Sequence, residues 1–211
     1  MREEMKKIVS TLLWKTKAVV ISVDKPFKLA SGDMSPIYTD CRVLISYPYA
    51  RDIITDFASL LYEDEKLDAD YIAGGETAGI PYAAWLADKL HKPFVYVRKK
   101  PKGYGRTEQI EGKLEKGKIV LLYEDLITDG KSKLNFIEGI RKARCKVKNC
   151  LVIFDRQQGG RESLKETGVS LYSMTDMETC IKVGSEGGFI SSKEIQPVMD
   201  YLKDPKGWQN R

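Results

Sequence analysis

The sequence predicts an α/β protein built on a central, mostly parallel β-sheet flanked by helices. Three observations carry that prediction. From residue 48 onward, short apolar strands alternate with amphipathic helical stretches, the pattern of successive βαβ units. The strands end in turns rich in glycine, charge or hydroxyls, where open α/β sheets place their ligands. The chain has 211 residues, 42% hydrophobic and 31% charged, enough for one substantial core.

Taken in order, Ile8, Leu12 and Leu13 recur at helical spacing and predict a helix over residues 3–15. Residues 18–45 carry Pro26, Gly32 and Pro36 among β-prone pieces at 19–23 and 37–38, and read as strands and turns outside the later alternation. Pro48 suits a first helical position, and Ile53, Ile54, Phe57, Leu60 and Leu61 form one apolar face. A strand over 70–73 leads through a glycine-rich turn to a helix over 81–90 and a strand over 94–98. Residues 99–115 lack a long apolar period. A strand over 118–123 precedes a turn and a helix over about 132–143. Further strands are expected at 150–154 and 169–173. Late helices are marked by Thr175-x-x-Glu178 and Ser191-x-x-Glu194 as capping boxes, with a glycine break at 184–188.

Composition excludes several classes. A formal net charge of +5, from 35 basic and 30 acidic residues, does not point to nucleic acid. Cys41, Cys145, Cys150 and Cys180 form no CxxC pair and His91 is the single histidine, so a zinc site is not expected. Free thiols suit a reducing cytosol. The opening Met1-Arg-Glu-Glu-Met-Lys-Lys leads into no apolar signal core, and runs such as residues 119–123 are too short to span a bilayer. A cytoplasmic protein that engages neither membrane nor nucleic acid is expected.

The most informative stretch is residues 124–132, Glu124-Asp125-Leu126-Ile127-Thr128-Asp129-Gly130-Lys131-Ser132. Read as a loop after a strand, it joins two carboxylates to a hydroxyl- and glycine-rich helix start. Unpaired N–H groups and the helix dipole make such a start a phosphate site. Thr128 and Ser132 can add hydroxyl donors, and Gly130 lets the backbone approach. Adjacent carboxylates would repel phosphate but accept from vicinal sugar hydroxyls, and can stabilise a cationic carbon or help hold magnesium. A sugar 5-phosphate satisfies both halves. The same residues also fit simple helix capping. No GxxxxGK[ST] loop is present.

This stretch resembles the binding motif for phosphoribosyl pyrophosphate (PRPP) in type I phosphoribosyltransferases. Phe27-Lys28-Leu29-Ala30-Ser31-Gly32-Asp33-Met34-Ser35-Pro36-Ile37-Tyr38-Thr39-Asp40 resembles the N-terminal signature of orotate phosphoribosyltransferases. So do Ala73-Gly74-Gly75-Glu76-Thr77-Ala78-Gly79-Ile80-Pro81, Tyr96-Val97-Arg98-Lys99-Lys100-Pro101-Lys102-Gly103-Tyr104-Gly105 and Gln109-Ile110-Glu111-Gly112. The motifs follow in register from about residue 10 to 160.

The resemblance implies the type I phosphoribosyltransferase fold. It implies a helix and base-recognition hood over residues 1–45 and one functional core over 46–211. The implied reaction is a magnesium-dependent transfer of ribose 5-phosphate from PRPP to orotate, in UMP biosynthesis. Glu124 and Asp125 would hold the ribose hydroxyls, and residues 126–132 (Leu126, Ile127, Thr128, Asp129, Gly130, Lys131, Ser132) the phosphate. Gly75, Glu76, Thr77, Ala78 and Gly79 would form the pyrophosphate loop. Magnesium would come with PRPP rather than occupy a protein-only site, with Asp125 able to help. The 98–106 loop carries Arg98, Lys99, Lys100, Lys102 and Arg106 and by itself also fits a solvated basic segment. By resemblance Arg98, Lys99, Lys102 and Tyr104 bind PRPP, with the loop reaching across a homodimer interface and Lys102 as catalytic cation. Tyr104 stands where relatives often carry histidine, so a proton-transfer role is not carried over. Orotate contacts would be Thr128, Arg156 and Tyr38, although Tyr38 also fits hairpin packing. Asp129 and Lys131 stand at turn positions where relatives often have small or neutral residues, and the Asp129 carboxylate is expected to turn to solvent or to the following helix.

Overall fold

The computed structural model describes residues 1–29, 32–101 and 109–208. In chain order its elements are α1 (Arg2–Lys15), β1 (Val19–Ile21), β2 (Phe27–Lys28), β3 (Met34–Ser35), β4 (Ile37–Thr39), a 3-10 helix (Cys41–Ser46) and α2 (Pro48–Asp64). There follow β5 (Tyr71–Gly75), α3 (Gly79–Lys89), β6 (Phe94–Val97), β7 (Ile110–Glu111), β8 (Ile119–Ile127), α4 (Lys131–Lys142) and β9 (Lys146–Asp155). The last are α5 (Gly160–Glu166), β10 (Ser170–Asp176), α6 (Met177–Glu186), α7 (Ser192–Lys203) and α8 (Pro205–Trp208). Two compact units result, Met1–Ser46 with the segment from Thr175 onward, and Tyr47–Met174.

In the larger unit, a six-stranded sheet runs in the order β10-β9-β8-β5-β6-β7. β5 pairs in parallel with β6 and β8, and β8 with β9, while β7 closes the edge antiparallel to β6. β8 and β9 are buried along most of their length, as parallel strands covered by helices on both faces must be. α4 presents Phe136, Ile137 and Ile140 to a core that also holds Val97, Val120, Leu122, Val152 and Leu164. Pro48 stands at the start of α2 behind an extended Tyr47, where its fixed φ and missing N–H cost nothing. α4 begins after Gly130 at φ +85°, a left-handed turn that a side chain would strain.

Several expectations needed correction. The strand expected to end at residue 123 continues as β8 to Ile127, so Glu124 and Asp125 are strand residues and only 128–130 form the turn. The extension is stabilised by pairing of Glu124, Leu126 and Ile127 with Val152, Phe154 and Asp155 of β9. The box at Thr175 is replaced: Asp176 caps α6 by accepting the Thr179 N–H at 2.9 Å, and Thr175 lies on β10. The second box stands, with the Ser191 N–H on the Glu194 carboxylate at 3.0 Å. Gly184 is inside α6, and the break begins only at Gly187. α5 and the edge strand β7 were not anticipated, being too short for a periodic signal.

In the smaller unit, β1 pairs antiparallel with β4 and β2 with β3. α1 packs on α6. Trp14 Nε1 donates to the Cys180 carbonyl at 2.8 Å, and the Trp14 ring stacks on Phe189. Ser10 and Thr175 share a buried hydroxyl hydrogen bond of 2.7 Å, and Lys6 pairs with Asp176 at 2.9 Å. Trp14 is 6% exposed and close against Gly184. Trp14→Ala is therefore expected to lower the unfolding free energy by about 3–5 kcal/mol, measured by guanidinium denaturation.

Candidate active site

The carboxyl ends of β5, β6, β8 and β9 lie side by side, so the turns that follow them form one edge. The Glu76 N–H donates to the Val97 carbonyl at 2.8 Å, and the Arg156 N–H to the Ile127 carbonyl at 2.9 Å. These bonds register the glycine turn against the end of β6, and Arg156 against Thr128. The sequence thus scatters the candidate groups over some eighty residues, and strand pairing returns them to one edge.

Glu124 sits at the centre. It is 4% exposed, and Oε1 accepts the Gly75 N–H at 2.7 Å while Oε2 meets Lys133 Nζ at 3.2 Å. A Cβ on Gly79 would collide with this carboxylate, and one on Gly75 with both it and the Phe136 ring. These glycines therefore make room for a buried acid as well as for a tight turn. The peptide between Glu76 and Thr77 is cis. Burial pushes the Glu124 carboxyl up to about 7, although Lys133 opposes the rise. Burial alone would lower Lys133, but the carboxylates of Glu124 and Asp125 outweigh it and hold the ammonium above its ordinary value. Asp125, next along the strand, is also buried.

The turn after β8 carries the half-buried Thr128 and the exposed Asp129, with exposed Lys131 and Ser132 opening α4. The Asp129 carboxylate accepts the Lys131 N–H at 3.1 Å and pairs with Lys131 Nζ at 2.8 Å, which holds its carboxyl below the usual range. It turns to the following helix, one of the two orientations expected for it.

Arg156 is buried at the end of β9. Its turn is organised by Asp155, which accepts the Gln157 N–H at 2.8 Å and pairs with Arg161 at 3.1 Å. Arg161 also donates to the Leu171 carbonyl at 2.8 Å. At the root of the basic segment, the Lys99 N–H donates to the Glu76 carboxylate at 2.8 Å, and Asn135 Nδ2 to the Lys99 carbonyl at 2.9 Å. Arg98 exchanges backbone and side-chain bonds with Gln109 and lies 3.4 Å from Glu111. Glu76 is thus occupied by a backbone donor. Lys102, Tyr104 and Arg106 lie outside the described residues. Tyr38, in the smaller unit, is 40% exposed and tilted against Phe27.

Lys133, Asn135 and Asp155 escaped the sequence reading. Lys133 had a signal, since residues 133, 136, 137 and 140 form the buried stripe of α4 and a lysine there is anomalous. Among the described residues, no group of three or more His, Cys, Asp or Glu could hold a metal ion.

A phosphoribosyl transferase domain model matches residues 47–179. The orotate phosphoribosyltransferase of Sinorhizobium fredii is 42% identical over 211 residues, spanning 98% of this chain and 91% of the relative. The crystal structure of orotate phosphoribosyltransferase from Aeropyrum pernix is similar at a TM-score of 0.76 and 32% identity, covering 87% of this chain and 99% of that one. The Leishmania donovani UMP synthase structure matches at a TM-score of 0.80 and 25% identity, covering 94% of this chain and 42% of that one.

The Glu124 carboxyl lies above its ordinary 4.5 in the folded state, at about 7. Its contribution to stability is therefore fully present below pH 4.5 and lost as pH rises through about 7. Glu124→Gln is expected to remove that fall from a plot of unfolding free energy against pH across this window, measured by urea denaturation.

Proposed function

The chain belongs to the orotate phosphoribosyltransferase family, whose members convert orotate and PRPP to orotidine 5′-monophosphate, and on that premise we propose how its residues perform the reaction. The ribose 5-phosphate group passes from pyrophosphate to orotate, a pentosyl transfer in pyrimidine biosynthesis. The observation that carries this reading is the junction of β8 and α4, where two buried carboxylates stand directly before a glycine turn and a helix N-terminus.

Thr128, Asp129, Gly130, Lys131 and Ser132, with the Leu126 and Ile127 backbone, cradle the 5-phosphate. Backbone N–H groups and the helix dipole favour the anion. Glu124 and Asp125 accept the ribose hydroxyls and stabilise positive charge at the anomeric carbon. As the orotate nitrogen forms its bond to that carbon, the bond to pyrophosphate breaks, through an oxocarbenium-like state. Gly75, Glu76, Thr77, Ala78 and Gly79 present backbone to the leaving group. Arg98, Lys99, Lys102 and Tyr104 close over it from a loop contributed across a homodimer interface.

Phosphoribosyltransferases of this type use PRPP with a metal ion. Magnesium is the metal proposed, since the hard oxygens of Asp125 and the substrate phosphates suit it. When bound it supplies positive charge that offsets the leaving pyrophosphate. Arg156 meets the orotate carboxylate through its planar fork, beside Thr128, and residues 1–45 form the hood that brings Tyr38 to the base. Residues 46–211 serve as the functional core. No helix among the described residues is long and apolar enough to cross a membrane. A cytoplasmic location is the reading that four free, buried cysteines favour.

Orotate-dependent pyrophosphate release with PRPP and magnesium, beside uracil, hypoxanthine and adenine, tests the assignment; release with another base and not with orotate would overturn it. Lys102→Ala is expected to lower turnover by at least about tenfold, or about 1.4 kcal/mol on the barrier. Arg156→Ala is expected to raise KM for orotate by about 10- to 100-fold while KM for PRPP holds, as loss of a charge-assisted hydrogen bond predicts. Both are read from steady-state kinetics.

A further inference from the structure

Lys133 lies on the inward stripe of α4, in register with Phe136, Ile137 and Ile140. Its side chain is 8% exposed, and that of Glu124 is 5% exposed. Stability does not account for this placement. Desolvating two charges offsets most of their attraction, and buried ion pairs replaced by apolar residues of similar size often lose nothing. A methionine or leucine would continue the stripe and pack against the same core. A buried ammonium with a defined partner therefore points to a role in the site.

Its contacts define that role. Nζ reaches Glu124 Oε2 at 3.2 Å and Ser132 Oγ at 3.3 Å. Glu124 Oε1 is held from the other side by the Gly75 N–H at 2.7 Å. One carboxylate oxygen is thus tied to the pyrophosphate turn and the other to the phosphate cradle. The carboxylate cannot rotate about its last bond without breaking both ties. An ionised carboxylate has about four acceptor sites, so two remain for sugar hydroxyls in a fixed direction.

We propose that Lys133 is a positioning residue for PRPP: from the buried face of α4 it orients the Glu124 carboxylate toward the ribose hydroxyls and couples the phosphate cradle to the glycine turn at Gly75. The proposal rests on PRPP as the ligand of this edge and is independent of which base accepts the sugar. Lys133 acts through Glu124 and touches no reacting atom. A displacement of roughly 1 Å in such a support is enough to misplace a substrate.

The test is PRPP affinity of the full chain by titration calorimetry with magnesium, beside steady-state kinetics with orotate. Lys133→Met is expected to weaken PRPP binding by at least about tenfold while KM for orotate stays within about twofold. Lys133→Arg, which keeps the cation, is expected to recover most of the loss. Glu124→Gln/Lys133→Met is compared with Glu124→Gln alone; neither carries an unpaired buried carboxylate, so the comparison holds even if Lys133→Met alone fails to fold. The added substitution is expected to change PRPP affinity by less than about twofold, because its effect runs through Glu124. Unchanged PRPP affinity in folded Lys133→Met, or a further loss of about tenfold in the Glu124→Gln background, overturns the proposal. A wild-type chain that binds PRPP but releases no pyrophosphate with orotate overturns the orotate assignment and leaves this inference standing. Failure of the wild type to bind PRPP overturns both.

Discussion

The Glu124 carboxylate is held between a backbone N–H of β5 and an ammonium of α4, and it grows from β8. Three elements therefore meet on one pair of oxygens, Gly75 of β5 coming from 49 residues away. The meeting explains choices elsewhere. Gly75 and Gly79 have no Cβ because the carboxylate and the Phe136 ring occupy that volume. Lys133 interrupts an apolar helix face and supplies the buried acid with a donor. The elevated proton affinity of Glu124 follows from the same burial.

The parallel sheet makes such a meeting possible. Parallel strands point their carboxyl ends the same way, so each following turn contributes to one edge. Pairing of Ile127 with Asp155 sets the 128–130 turn against the Arg156 turn, and pairing of Gly75 with Val97 sets the glycine turn against the root of the basic segment. Each turn is stiffened locally as well. Asp155 and Arg161 hold the turn after β9, while Glu76 and Asn135 hold the two sides of the Lys99 peptide.

The acidic and basic side chains at the turn before α4 compensate one another. Asp129 would oppose an anion at the start of α4, but Lys131 binds its carboxylate and the turn carries no net charge from the pair. Both side chains remain half or more exposed.

The sequence by itself determined the alternation of strands and helices, the Pro48 helix start, the capping box at Ser191 and the motif order from residue 27 to 132. These rest on periodicity, turn chemistry and local spacing, which act over a few residues. Tertiary structure decided where β8 ends, because Glu124 and Asp125 are poor strand formers that β9 pairing recruits into the sheet. It also decided that Asp176 rather than Thr175 caps α6, since Thr175 is drawn into β10 and bonded to Ser10. The two acids before a glycine turn and a helix start were legible. Its support was not: Gly75 and Lys133 lie 49 and nine residues from Glu124, and only burial in one fold makes them its partners.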